Sequence, residues 1–134
     1  MPTGGDLLEI TCQHPTLGTY KFYPKSSEGS TYDLGGARSS SDKNMRDGSG
    51  APIRKMNISN AGFKSKIGWD MNQRQDLENL NDLSNSPVNG TWTFSHINGT
   101  SYVLSNGYPV GDLVGEGNDA TIDCEWAGEK MQLI

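Results

Sequence analysis

Residues 62–97 read GFKSKIGWDMNQRQDLENLNDLSNSPVNGTWTFSHI, and their changing periodicity decides the fold class. Phe63, Ile67, Trp69 and Met71 fall on one side of a period-2 repeat, with Lys64, Lys66 and Asp70 on the other, the pattern of a half-buried strand. From Asn72 to Asn85 the spacing becomes helical, with Leu77, Leu80 and Leu83 on one stripe. Asn72 is placed as an N-cap, with Gln75 at the third helical position of a capping box. So narrow a stripe serves most simply to dock the helix on a sheet. Ser86-Pro87 lies where such a helix stops. Thr91 to Ile97 then alternates again, Trp92, Phe94 and His96 against Thr91, Thr93, Ser95 and Ile97. Asn98-Gly99 fits a two-residue type I′ turn, and Thr100 to Leu104 returns as a strand. This unit carries two of the three tryptophans, so the core is expected to form around it.

Upstream, Leu8, Ile10 and Cys12 alternate with Glu9 and Thr11, and Tyr20, Phe22 and Pro24 alternate with Lys21, Tyr23 and Lys25. The two runs predict strands joined by a turn at Pro15 to Gly18, the second ended or held at an edge by Pro24. Ser26 to Pro52 differs in character, with five glycines, a serine run at Ser39 to Ser41 and few large apolar residues. A structureless loop of this length is unusual inside a compact domain, so the segment is either disordered or a long hairpin or arm ordered by a partner. Tyr32, Leu34, Met45, Arg38 and Arg46 within it, with Ile53 and Arg54 just beyond, are more than a linker needs. Ile53 to Ile58 predicts a strand leading into the central unit. Downstream, Gly107 to Asp119 reads as a glycine-rich loop. Ala120, Ile122, Cys124 and Trp126 alternate with Thr121, Asp123 and Glu125, and Lys130 to Ile134 adds a last strand after a turn at Ala127-Gly128. The sum is one mainly β domain over 1–134, a β-sandwich or small β-barrel with one short flanking helix and a long arm at about 26–52.

Composition narrows the function classes. Only 33% of the 134 residues are hydrophobic, mean hydropathy is −0.64 and the net charge is −5. An acidic chain disfavours general binding to nucleic acid, whose phosphates call for a basic face. No stretch approaches the roughly 20 apolar residues of a membrane-spanning helix. Met1 to Asp6 shows no basic region leading into an apolar run, so folding in a cytoplasm is expected. The sequons at Asn57, Asn89 and Asn98 then read as turn chemistry. Cys12 and Cys124 occupy apolar-phase positions near opposite ends. They are expected as reduced core residues, and a disulfide would require their strands to be neighbours.

No constellation points to catalysis or to a cofactor. His14 stands before Pro15 at a turn, and His96 shares a strand face with Trp92 and Phe94, where packing is the commoner role. The glycines of 111–117 lack the Lys-Ser/Thr ending of a phosphate loop. Asp112, Glu116, Asn118, Asp119 and Asp123 do not have EF-hand spacing. Asp123 and Glu125 read as one solvated strand face rather than an acid/base pair. The expectation is a non-enzyme, with catalytic, cofactor-binding and metal residues all none.

The order of segments adds a resemblance. Asp33-Leu34-Gly35-Gly36-Ala37-Arg38-Ser39, then Ile53 to Asn57, Phe63 to Met71 closing on Trp69-Asp70-Met71, the Leu77/Leu80/Leu83 helix, Trp92 to Thr100, and Gly107-Tyr108-Pro109-Val110-Gly111-Asp112 through Gly128 follow one another along most of the chain. In this order the chain resembles the small bacteriophage tail tube proteins, whose relatives form the inner tubes of contractile injection systems. The resemblance implies a structural virion protein that self-assembles into stacked, hexameric rings, forming a tube through which DNA passes into the host. It implies a location in the virion tail, with assembly in the host cytoplasm. Its implied partners are further copies of the chain, other tail proteins and DNA in non-specific transit, without membrane insertion. A terminator or baseplate ring of the same fold is an alternative. A second alternative, from the residues themselves, is a non-catalytic carbohydrate-binding β-sandwich using Tyr102, Tyr108 and Trp126.

Overall fold

The computed structural model describes residues 2–25, 30–39 and 45–134. In chain order the elements are β1 (Leu7–His14), β2 (Gly18–Phe22), β3 (Thr31–Asp33), β4 (Gly36–Ser39), β5 (Met45–Arg46), β6 (Pro52–Ile53), β7 (Met56–Ser59), β8 (Ala61–Gly68), α1 (Asp76–Asn85), β9 (Gly90–His96), β10 (Ser101–Pro109), β11 (Val114–Glu116), β12 (Thr121–Gly128) and β13 (Lys130–Leu133). All ladders are antiparallel, and nine strands join into one folded-over sheet along β2-β1-β9-β10-β12-β8-β3, with β13 on β10 and β11 on β12.

This sheet makes two layers because β10 belongs to both. Its first half pairs with β9 and β13, and its last two residues, Tyr108 and Pro109, pair with β12. The corner lies between Leu104 and Gly107, where the register shifts and Asn106 takes a φ of 50°. Gly107 is required there: a Cβ would stand 2.6 Å from the Trp92 ring and 2.9 Å from a Leu104 methyl. The first layer is then β2-β1-β9-β10-β13 and the second is β3-β8-β12, with β11 and the end of β10 along the far side of β12.

Alternation supplies the core. The first layer turns Ile10, Cys12, Phe22, Trp92, Phe94, Leu104 and Met131 inward, and the second turns Ala61, Phe63, Ile67, Ile122, Cys124 and Trp126 to meet them. Aromatic rings bridge the layers: Phe63 stacks on Phe94 at 4.1 Å, and Trp126 lies 5.4 Å from both Phe63 and Trp92. Leu80 and Leu83 add the buried side of α1, which lies against β10. Each buried aromatic or branched side chain contributes about 1.5–3 kcal/mol, so stability is concentrated here.

The sheet is not closed into a barrel, so of the two architectures expected from sequence the sandwich-like one holds. The nearest approach to closure is a single bridge between Pro24 and Ile67. Lys25 N–H donates to Lys66 O at 3.0 Å and Gly68 N–H to Tyr23 O at 2.7 Å, so Pro24 sits where the ladder asks it for no donor.

Several local expectations are corrected. Leu8 is 51% exposed, because a register shift between Leu7 and Glu9 turns Leu7 instead toward the core. β8 ends at Gly68, leaving Met71 in a turn and 55% exposed. The helix begins at Asp76, not after Asn72. Asp70 instead closes the turn that precedes the helix, its Oδ1 accepting the N–H groups of Asn72 and Gln73 at 2.9 and 3.0 Å. Gln75 precedes the helix in the left-handed region without a side-chain cap. The β9–β10 turn has three residues rather than two. His96 O accepts from Gly99 N–H at 3.1 Å, His96 N–H reaches Thr100 O at 2.9 Å, and only Gly99, at φ 87°, is left-handed. That is a type I turn with a glycine bulge. Residues 107–119 are not all loop, since β10 runs to Pro109 and β11 is a strand. Ala120 is exposed and Thr121 buried, because the alternation of β12 begins only at Ile122. The turn before β13 is the single residue Glu129.

Candidate functional site

The segment between β3 and β8 stands apart from the sandwich. β4 pairs with β7, Gly36 opposite Ser59 through Ser39 opposite Met56, and β5 pairs with β6 through Met45–Ile53 and Arg46–Pro52. Together the described residues 36–39 and 45–59 make a hairpin arm, so Ile53 to Ile58 belongs to the arm and not to the sandwich. Residues 26–29 and 40–44 of the segment expected as an arm lie outside the described residues.

The arm's own hydrogen bonds shape both of its ends. At the tip, Asp47 Oδ1 accepts from the N–H groups of Ser49 and Ala51 at 2.9 and 3.0 Å and from the Ser49 hydroxyl at 2.6 Å. These donors, the Ser49 hydroxyl first, hold the Asp47 carboxyl below its ordinary range. Arg46 donates to Gly50 O across the same turn at 2.7 Å. At the root, Asp33 accepts from the Arg38 guanidinium and from Gly35 N–H, and its carboxyl is lowered by the arginine first. Tyr32 anchors the root from inside, its ring 4.8 Å from Phe63 and its hydroxyl 2.6 Å from His96 Nε2.

What the arm exposes is unusual for so polar a chain. In the β4–β7 ladder Ala37 is opposite Ile58 and Ser39 opposite Met56, placing these four on one face. Ile58 is 90% exposed, and Met45, Ile53 and Met56 are exposed as well. Scattered surface apolar residues need no explanation, but a run of them on a projecting hairpin marks an interaction surface.

The outward faces of the two layers differ. The first layer shows hydroxyls and amides in register: Gln13 opposite Thr91, Thr11 opposite Thr93, Ser95 opposite Ser101, and Val103 opposite Gln132. Its Lys21 is paired with Glu9 at 3.5 Å. The second layer shows charges. Lys66 pairs with Asp123 at 3.8 Å and Lys64 stands opposite Glu125, above a groove of about 280 Å³ walled by Val110 to Asp112. Asp123 and Glu125 thus share one solvated face, as their alternation predicts.

The other residues singled out from sequence have structural settings. His14 is buried where β1 enters its turn. Its Nδ1 accepts the N–H groups of Thr16 and Leu17 at 3.2 and 3.1 Å, which leaves Nε2–H to donate to Val88 O at 2.9 Å. It pins the β1–β2 turn to the segment after α1. His96 Nδ1–H donates to Gly5 O at 3.0 Å, so its Nε2 accepts the Tyr32 hydroxyl. Cys12 and Cys124 are free and buried on strands of opposite layers, and burial pushes both thiols up to about 12. Among the described residues, no three His, Cys, Asp or Glu side chains gather as a metal site. The aromatic trio of the carbohydrate reading does not form a platform: Trp126 is 1% exposed, Tyr102 is half-buried with its ring 5.0 Å from Tyr32, and of the three only Tyr108 is exposed.

One buried acid has no sequence signal. Asp76 Oδ2 accepts Asp70 N–H at 2.9 Å and lies 3.4 Å from Arg74, whose guanidinium covers the Tyr23 ring at 4.8 Å. Its Oδ1 has no hydrogen-bond partner among the described residues. Burial raises the Asp76 carboxyl above its ordinary range, against the pull of Asp70 N–H and Arg74.

No family model and no curated protein matches the chain. Among solved structures it is similar to a chain of the "anti-feeding prophage (AFP) baseplate, 6-fold symmetrised", with 13% identity and a TM-score of 0.49 over 100% of this chain and 96% of that one. A likeness at this score assigns neither a family nor a role.

Proposed function

We propose that the protein is a non-enzymatic, self-assembling structural subunit of a phage-type tail, forming stacked rings of a tail tube. The observation that carries this reading is the arm. It is a hairpin closed by its own hydrogen bonds, with Ile58, Met56, Met45 and Ile53 exposed along it. An apolar hairpin of this kind adds nothing to the core and exposes surface that a partner would cover. The segment order, which resembles that of tail tube proteins, favours another copy of the chain as that partner. The hydroxyl-rich face of the first layer, whose Lys21 is paired with Glu9, suits a hydrated lumen wall, since it offers DNA few free cations to grip. A terminator or baseplate ring would use the same features, and location in the particle separates these roles.

Negative-stain microscopy and sedimentation velocity of the purified protein test the reading. Rings or tubes of uniform width are expected at high concentration. Replacing Ala37 to Ile58 by a short turn between Gly36 and Ser59 is expected to leave a folded monomer that does not assemble. A full-length chain that stays monomeric at every concentration, with or without other tail components, would refute the reading.

A further inference from the structure

The charge of the chain is divided unevenly. Of its 11 basic and 16 acidic residues, segment 36–59 holds Arg38, Lys43, Arg46, Arg54 and Lys55 against Asp42 and Asp47, a net of +3, which leaves −8 on the rest. The acidic excess is concentrated in turn. Residues 107–129 carry six acids and no base. Asp123 and Glu125 face the β8 lysines, whereas Asp112, Glu116 and Asp119 are exposed and make no ion pair among the described residues.

Within that region β11 has a distinctive surface. Along 112–116, Leu113 and Gly115 turn inward, Leu113 to the core and Gly115 against the Trp69 ring. Asp112, Val114 and Glu116 are all exposed, Val114 by 56%. Alternation within β11 puts Val114 and Glu116 on one side, and the exposed Asp112 just before the strand makes the series anion, aliphatic, anion. β11 pairs with β12 along one edge, and its other edge carries no strand among the described residues. The arm presents the complement. Met56 and Ile58 share a face, and the Arg54 guanidinium lies 3.2 Å from the Met56 sulfur on the same stretch, giving cation, apolar, apolar. Two short extended segments of matched polarity, one on a projecting hairpin and one at an open sheet edge, have the form of strand addition.

We infer that the arm of one copy docks on β11 of a neighbouring copy, with Met56 covering Val114 and Arg54 placed against Glu116. This inference rests on the self-assembly reading and names its contact. The occupant is a second copy because the net charges of arm and body are opposite within one sequence. Nucleic acid is disfavoured as the occupant, since Arg38 is engaged by Asp33, Arg46 by Gly50 O, and the body repels phosphate.

A charge exchange in the full-length chain tests it, using Arg54→Glu, Glu116→Arg and the two combined. Both positions are exposed, so each variant is expected to keep the near-ultraviolet spectrum and urea midpoint of the parent. Each single variant is expected to raise the half-assembly concentration about tenfold at low salt, and the double variant to return within about threefold of the parent, as coupled charge pairs do. Val114→Ser is expected to weaken assembly while leaving its salt dependence as in the parent. The inference is overturned if both single variants assemble like the parent, or if the double variant is no better than the worse single one. It is also overturned if Arg54→Glu loses retention on duplex DNA while assembling normally, which would make the arm a nucleic-acid grip. In all three outcomes an assembling parent leaves the self-assembly reading standing. A parent that never assembles removes both.

Discussion

The sandwich and the arm are built from the same kind of ladder and are held by different physics. In β8–β12 and β1–β9, each strand buries one face, and Trp92, Phe94, Phe63 and Trp126 bind the layers by packing. In β4–β7 and β5–β6, no described side chain is buried, and the hairpin is held by backbone pairing, the Asp47 turn and the Asp33–Arg38 latch. The difference teaches that the core sets whether the chain folds, whereas the arm adds surface. A two-stranded ribbon alone is marginal in water, so this one is expected to gain most of its rigidity when covered.

Four substitutions probe that division, in falling order of effect on unfolding. Trp92→Ala removes a ring that touches both layers and is expected to cost about 3–5 kcal/mol in urea unfolding. A loss under 1 kcal/mol would mean that the aromatic stack is not the main support. Gly107→Ala places a methyl group against Trp92 and Leu104 at the β10 corner and is expected to cost about 1–3 kcal/mol by overpacking. A neutral result would show that the corner yields easily.

Asp76→Asn tests the junction between β8 and α1 through pH. The Asp76 carboxyl is raised by burial, so the folded chain keeps that proton to higher pH than the unfolded chain. Between the two titrations the folded state binds more protons, and stability falls as pH rises through that window. Asp33, Asp47 and Asp70 are lowered by their donors and act in the opposite sense, gaining stability as pH rises. The variant removes only the first contribution. Its stability relative to the parent should therefore climb as pH rises from the ordinary aspartate range near about 3.9. A relative stability that falls with pH would mean that attraction to Arg74 outweighs desolvation. Last, Ile58→Ser is expected to change the monomer's unfolding free energy by no more than about 0.5 kcal/mol while weakening assembly. If it unfolds the chain, the arm is part of the core and the comparison fails.

How far the fold could be read from the sequence follows the same line. Phe63/Ile67 and Trp92/Phe94 were legible because a strand with one buried face must alternate. The arm's pairing was not, because a hairpin exposed on both faces imposes no alternation. Ile53 to Ile58 therefore looked like a strand entering the core. Leu8, Met71 and Ala120 were misplaced at element ends, where a bulge, a turn or a left-handed residue breaks the period. Trp126 serves no ligand platform, because its phase with Ile122 and Cys124 points it inward. Asp76 left no trace in the sequence, since its burial depends on α1 starting after the turn that Asp70 closes, three residues later than a capping box at Asn72 would put it.

The hairpin leaves the body after Asp33 and rejoins it at Ala61, the first residue of β8. A pull on the arm therefore enters along the axis of β8, parallel to its eight paired positions with β12. Those pairs bear the load together, in shear, rather than parting one after another. At Trp126 and Ala127 the tension passes into β10, and its bend at Gly107 delivers it to the other layer. A chain tugged by its arm resists as a whole body, because each ladder hands its load to the next.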